Sequence, residues 1–360
     1  MRLFQNSGQY PAYLNRLNRL AAGATTFAQR RQAFLADRFG ALHFLKPVLD
    51  DEPDAFFTNG DDAALQRLWA REHGLPNKAT LEDILLAQIE EHRTEVFYNI
   101  DPTRYSSAFM NRLPGSVRRK IAWRAAPSPG ANFSAYDLVV CNFPGILESY
   151  RLAGWKSAWF APAHDPLMDR FAANQNRPID VLFVGGYTRH HRKRSELLEA
   201  VSALGGKHNV ALHLDRSRLT RLAEALPSWV PGLSQHRRPD AIQWVSRPPV
   251  FGLALYLLLS QAKIVLNGAI DMAGADRGNM RCFESMGCGC LMVSDTGIYP
   301  EGMVHAETMM TYGTSLQAVA LLKECLANPM ESASVANAGY QKIRSRYSKQ
   351  SQWDRFLSLC

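Results

Sequence analysis

The chain reads as an α/β protein of two domains, and three features of the sequence carry that expectation. Its 360 residues exceed what one hydrophobic core usually serves. Each half alternates short apolar runs with amphipathic stretches, the pattern of strands and helices in turn. An irregular stretch, with Pro162, Pro166 and Pro178 around AANQNR, separates the halves.

In the first half, Arg2 to Phe4 reads as a strand, followed by a Gly8-containing loop and a helix from about Pro11. A second strand covers Ala55 to Thr58 and ends in the turn Asn59–Gly60. The helix Leu81 to His92 sets Leu81, Ile84, Leu85 and Ile89 on one face and Glu90 and Glu91 outside. Strands follow at Val96 to Ile100, Lys120 to Trp123, Leu138 to Cys141 and Ser157 to Phe160. The second series has strands at Asp180 to Val184, Val210 to Leu214, Ile242 to Val245, Lys263 to Leu266, Leu291 to Val293 and Met309 to Tyr312. A helical tail runs from about Val335 to Cys360, with Trp353, Phe356 and Leu357 as an apolar patch. It either crosses back to the first domain or caps its own. The expected division is 1–165, a linker 166–178, 179–335, and C-terminal helices 336–360.

Hydrophobic content of 46% and charged content of 21% are those of an ordinary globular protein. A formal charge of +8 favours anionic partners such as nucleotides or phospholipid headgroups. Nucleic acid is not expected, because no recognition-helix, RNP or zinc-finger pattern accompanies the charge. The six cysteines lack paired framework spacing, and Cys288 and Cys290 form C-x-C, so reduced, buried thiols in a cytoplasmic protein are expected. No signal peptide opens the chain, and Val250 to Leu259 is half the ~20 residues needed to span a bilayer. Any membrane contact is therefore peripheral, on the inner face.

The most informative stretch is NMRCFESMGCGCLMVSD, residues 279 to 295. It reads as a helix capped by Asn279, ended by Gly287 and Gly289, and feeding a strand buried on both faces. A helix start offers unpaired N–H groups from Asn279, Met280, Arg281 and Cys282 to a phosphate, and Glu284 one turn deeper can accept two sugar hydroxyls. Arg281 opposes the helix dipole unless an anion lies nearby. The second candidate is VGGYTRHHRKR, where Gly185 and Gly186 let a ligand approach the backbone and Arg189, Arg192, Lys193 and Arg194 supply charge for a diphosphate. His190 and His191 read as surface residues. Neither G-x-G-x-x-G nor G-K-[ST] occurs, which disfavours redox dinucleotide and ATPase readings.

Asn267 and Gly268 end the strand KIVLNG, and Asp271 and Asp276 in the next loop are candidate contacts to a donor sugar. In the first domain, Tyr98, Asn99, Asp101 and Arg124 close strands that face the acceptor side. His164 and Asp165 form a pair suited either to acid/base work or to capping a helix.

These segments resemble the group-1-like glycosyltransferases of the GT-B fold, in particular the CgeB-type branch. The likeness lies in PIDVLFVGGYTRHHRKR, LALYLLLSQAKIVLNG, NMRCFESMGCGCLMVSDTGIYPEGM and TMMTYGTSLQAVALLKECLANP, over roughly residues 178 to 330. It implies two Rossmann-like domains across a cleft, with a nucleotide-diphosphate sugar on the C-terminal one and the acceptor on the N-terminal one. Glu284 matches the family glutamate that holds the ribose, and Arg281 the motif arginine. Asp276 takes the place of an acid eight residues before that glutamate, one methylene shorter.

The expected activity is transfer of a sugar to a hydroxyl of a glycan, lipid-linked saccharide or small molecule. No D-x-D follows a donor-domain strand, so no metal ligands are assigned and no cofactor is expected. Retention of configuration is implied only by the resemblance, and an inverting enzyme would need His164, Asp165 or Asp101 as base. A nucleotide-sugar epimerase and a non-catalytic nucleotide-sugar-binding module are the alternatives.

Overall fold

The computed structural model describes residues 1–187, 191–227, 229–230, 232–268 and 274–360. These form two six-stranded parallel sheets, each in its own compact unit: Met1–Ala163 with Tyr347–Cys360, and His164–Arg346. The first sheet holds β1 (Leu3–Ser7), β2 (Ala55–Asn59), β3 (Val96–Asn99), β4 (Arg119–Trp123), β5 (Leu138–Cys141) and β6 (Ser157–Trp159). The second holds β7 (Ile179–Gly186), β8 (Val210–Asp215), β9 (Ser246–Arg247), β10 (Ala262–Leu266), β11 (Leu291–Asp295) and β12 (Met310–Tyr312). The orders are β2-β1-β3-β4-β5-β6 and β12-β11-β10-β7-β8-β9.

Both orders reverse direction once, between β1 and β3 and between β7 and β10. The loops leaving two such neighbours diverge, which opens a crevice at the carboxyl ends of the strands. Short apolar strands make this possible, because helices cover both faces of a parallel sheet. In the second unit Val181, Phe183, Ile264, Leu266, Leu291 and Val293 are all buried against Leu197, Leu198 and Leu322.

Two expectations are corrected, and the tail is specified. Ile242–Val245 lies in the helix Asp240–Val245, and the strand is the next pair, Ser246–Arg247. Pro239 at the cap position and Asp240 in the first turn favour that helix, which buries Ile242 and Val245, three residues apart, on one face. The stretch 166–178 is not wholly irregular, since it contains the helix Met168–Ala172 and lies within the second unit. The tail is two helices, Pro329–Arg346 in the second unit and Lys349–Leu357 in the first. Ser348 caps the latter, its hydroxyl accepting from Ser351 N at 3.1 Å.

The last helix is held to the first unit from both ends. Lys349 Nζ donates to the Ala41 and Phe44 carbonyls at 2.6 and 2.7 Å, and Arg119 Nε donates to the Leu359 carbonyl at 3.0 Å. Phe356 is buried between Tyr98 and Phe160. All six cysteines are free, five of them buried and Cys360 exposed. Among the described residues no helix is long and apolar enough to cross a membrane.

Candidate functional site

The carboxyl ends of β7 and β10 lie side by side in the second unit, and the Met280–Gly287 helix starts beside them. Its C-terminus closes as a Schellman motif: Gly289, at φ +73°, donates to the Met286 carbonyl at 2.9 Å and Cys290 donates to the Ser285 carbonyl at 3.0 Å. Its N-terminus differs from expectation. Asn279 occupies the cap position but makes no side-chain cap. Its Nδ2 instead donates to Asn267 Oδ1 at 3.3 Å. Cys282 N donates to the Asn279 carbonyl at 3.0 Å, and the Met280 and Arg281 amides at the helix start have no side-chain cap from Asn279, which is what an anion would use.

Asn267 ties the start of this helix to the sheet. Its Nδ2 donates to Ser294 Oγ at 3.0 Å and lies 3.7 Å from Cys282 Sγ, while its carbonyl accepts from Tyr312 Oη at 2.6 Å. Asn267, Asn279 and Cys282 are therefore one hydrogen-bonded group. Burial pushes the Cys282 thiol up to about 12, so it serves as packing and not as a nucleophile.

Glu284 is buried, 6% exposed, and its Oε2 accepts from Arg281 Nη1 at 2.7 Å across one turn. Burial raises the Glu284 carboxyl above its ordinary value, with the Arg281 charge pulling the other way. The anion that offsets Arg281 at the helix start is thus Glu284 itself. The dipole conflict seen in the sequence is resolved within the helix, and it does not by itself demand a phosphate. Arg281 Nε remains without a partner among the described residues. Met280, the first helical residue, is half-buried. Asp276 is 3% exposed and pairs by backbone with Ile298.

At the end of β7, Gly185 is needed for packing, since a Cβ there would sit 3.0 Å from the Phe183 ring, whereas Gly186 faces open space. Arg192 does not turn toward the strand ends. Its side chain is 88% exposed and paired with Glu196 at 2.9 Å. Arg194 is the residue that reaches in, donating through Nε to the Gly268 carbonyl at 3.2 Å. Arg189, His190 and Asp271 lie outside the described residues.

His164 and Asp165 fall in the second unit, not on the acceptor domain. His164 is buried beside the C-terminal end of the helix, with Nε2 2.9 Å from Asp169 Oδ1. A Cβ at Gly287 would lie 3.1 Å from its Nδ1. Asp165, 1% exposed, accepts from Leu167 N at 3.1 Å and from Tyr256 Oη at 3.3 Å. Asp165 closes the His-Asp-Pro turn on Leu167 N, while the helix Met168–Ala172 that follows has no side-chain cap, and because both residues are buried in the second unit the catalytic assignment of His164 and the acceptor assignment of Asp165 are withdrawn.

Asp101 and Arg124 stay in the first unit. Asp101 accepts from Arg104 Nε at 3.2 Å, and Arg124 Nε donates to Ser128 Oγ at 2.7 Å within its own loop. Beside Asp101 stand Gln9, Asp61 and Tyr105, which the sequence reading did not single out. The only signal for Asp61 was its place directly after the Asn59–Gly60 turn. Among the described residues no group of three or more His, Cys, Asp or Glu could hold a metal ion.

Comparison with known proteins adds the following. The family described as "Glycosyl transferase-like" matches residues 189–358. The fold is similar to that of Anabaena Alr3699/HepE solved with UDP-glucose, at 14% identity and TM-score 0.59, over 99% of this chain and 98% of that one. A glycosyltransferase from Rickettsia africae is similar at 11% identity and TM-score 0.58, over 99% and 97% of the two chains. Sucrose-phosphate synthase from Thermosynechococcus elongatus follows at 10% and 0.56, over 100% and 98%. No curated protein matches the sequence.

Proposed function

Because residues 189–358 match the glycosyl transferase-like family and both units have the Rossmann-like topology of GT-B enzymes, we propose that this protein transfers a sugar from a nucleotide-diphosphate donor to a hydroxyl acceptor. One observation carries the reading. A helix with no side-chain cap begins at the switch point of the second sheet, and a buried glutamate lies one turn inside it. The leading amides and Arg281 suit the diphosphate, and Glu284 suits the ribose hydroxyls. On this reading Gly185, Gly186, Asn267, Asn279, Met280 and Cys282 lie around the donor, and Arg192, exposed and paired with Glu196, stands on its solvent side. Asp276 serves the donor sugar. UDP is the first donor carrier to test, since Alr3699/HepE was solved with UDP and with UDP-glucose.

The chemistry follows from the leaving group. A departing diphosphate needs positive charge and oriented N–H donors while the anomeric carbon gains positive character, and the helix start with Arg281 supplies both. The reading is of a hexosyltransferase-like enzyme that needs no metal and retains configuration, the leaving phosphate taking the acceptor proton. Were it to invert, Asp101 is the remaining candidate base, because His164 and Asp165 are buried in the second unit. Asp101 and Arg124 serve the acceptor, and the +8 charge suits a lipid-linked acceptor met at an anionic membrane surface.

A thermal-shift screen with UDP, GDP, dTDP and CMP tests the proposal. At a hundredfold over Kd, a ligand adds about 2.7 kcal/mol of stability. One of these nucleotides should shift the wild type and fail to shift Glu284→Ala. No shift with any of them defeats the reading. An epimerase would turn over the donor without an acceptor, and a non-catalytic module would show no turnover and would tolerate Arg281→Ala.

A further inference from the structure

The first sheet also reverses its strand order, between β1 and β3, and such a reversal opens a crevice at the carboxyl ends of the strands. Gly8 and Gln9 leave β1 there, Gly60 and Asp61 leave β2, and Asp101 leaves β3. Two of these glycines let side chains close in. A Cβ on Gly8 would lie 2.9 Å from Asp101 Oδ2, and one on Gly60 would lie 2.5 Å from Tyr105 Oη and 2.8 Å from Asn6 Oδ1.

The floor of this crevice is fixed by a buried amide network. Asn6 Nδ2 donates to Asn99 Oδ1 at 2.9 Å, and Asn6 Oδ1 accepts from Gly60 N at 2.9 Å. Asn99 Oδ1 also accepts from Asp101 N at 3.1 Å, and Asn99 Nδ2 donates to Tyr136 Oη at 2.6 Å. Satisfied networks of this kind hold one geometry.

Above the floor the accounting does not close. Tyr105 is 1% exposed, yet its hydroxyl has no partner among the described residues, and neither do Asp61 Oδ1 and Gln9 Oε1. Such orphans are rare in folded proteins and call for an explanation. Asp61 Oδ2 accepts from Gln9 N at 2.9 Å, the carboxylate also interacts with its own backbone amide, and no cation lies within ion-pair distance of Asp61 among the described residues. Its neighbour Asp62 is by contrast fully engaged by Arg30, at 2.7 Å. Asp101 has Arg104 at 3.2 Å. Burial pushes the Asp61 carboxyl up to about 6, with the Gln9 amide opposing, the Asp101 charge adding to it and the Arg104 charge, which is paired to Asp101, pulling it down.

The unmet groups are two acceptors and one hydroxyl donor, with excess negative charge. An ammonium offers three donors and no acceptor, and a neighbouring hydroxyl can accept from Tyr105. We propose that this crevice recognises a primary ammonium on a polyhydroxylated ligand, an amino sugar, with Asp61 as the charge partner and Gln9, Asp101 and Tyr105 around it. On the transferase reading, on which the word acceptor rests, that ligand is the acceptor.

The test is titration calorimetry of the full chain with glucosamine, N-acetylglucosamine, glucose and magnesium chloride, each with and without UDP. N-acetylation keeps the ring and removes the charge. Glucosamine should bind, and N-acetylglucosamine and glucose should bind at least tenfold more weakly. A hydrogen bond to a charged group is worth about 1.5–3 kcal/mol, so Asp61→Asn should weaken glucosamine roughly 10- to 100-fold. Tyr105→Phe should weaken it less, and both variants should keep UDP binding, which also shows that they fold. Equal binding of glucose, glucosamine binding that survives Asp61→Asn, or magnesium binding lost with Asp61 would each overturn the proposal. Loss of UDP binding in the wild type would instead defeat the donor assignment and leave the glucosamine result readable.

Discussion

Replacing Arg281 by methionine keeps the aliphatic stem and removes the only cation on Glu284 among the described residues. Breaking a buried pair from one side costs about 3–5 kcal/mol, and the 18% exposure of the Arg281 side chain lowers that to roughly 2–3 kcal/mol through water screening. The cost depends on pH in a defined direction. Burial raises the folded pKa of Glu284 above its ordinary 4.5, so between the two values the folded state binds more protons than the unfolded one. Stability therefore falls as pH rises through that window. Without Arg281 the window extends upward, because the arginine was the group holding the value down. Urea unfolding should show a penalty under about 1 kcal/mol near pH 5, growing to about 2–3 kcal/mol at pH 8, at up to ~1.4 kcal/mol per pH unit. The double variant Arg281→Met with Glu284→Gln should lose the pH dependence. A penalty equal at both pH values would show that Glu284 is not a buried, charge-dependent partner.

Lys349→Met should free the last helix, because two buried carbonyls lose their charged donor at a cost of about 2–3 kcal/mol. Faster amide exchange over 349–357 and near Ala41 and Phe44 is the readout, and unchanged exchange would refute the anchoring role. Asp61 titrates from 3.8 unfolded to about 6 folded, so its charge is a stability loss that sets in as pH rises across that interval. Asp61→Asn should flatten the stability profile between pH 4 and 6, measured without ligand, and an unaltered profile would contradict it.

Strands were legible where short apolar runs lay between turn residues, as at Leu138–Cys141 and Leu291–Asp295, because a parallel sheet buries both faces and leaves no polar alternation. The run Ile242–Val245 failed because four residues, three of them apolar around Gln243, are too few to show a period, and only Pro239 and Asp240 pointed to a helix. The candidate donor site was legible because its parts are local: the Met280–Gly287 helix, its closing glycines and Glu284 are consecutive in the chain. What was hidden is what depends on distant partners. Asn279 sits at the cap but spends its amide on Asn267, 12 residues back. His164 and Asp165 read equally as an acid/base pair or a helix cap, and only the distant contacts with Gly287 and Tyr256 show that both are buried in the second unit. Asp61 was not singled out in the sequence, and the amide that holds it, Gln9 N, is 52 residues away.

The central claim is that the start of the Met280–Gly287 helix, with Glu284 inside it, holds a nucleoside diphosphate. Hydrogen–deuterium exchange with and without UDP tests it most directly. The account predicts slowed exchange at the amides of residues 280–284 in the wild type and none in Glu284→Gln. UDP protection confined to other segments, or unchanged in the variant, would contradict it.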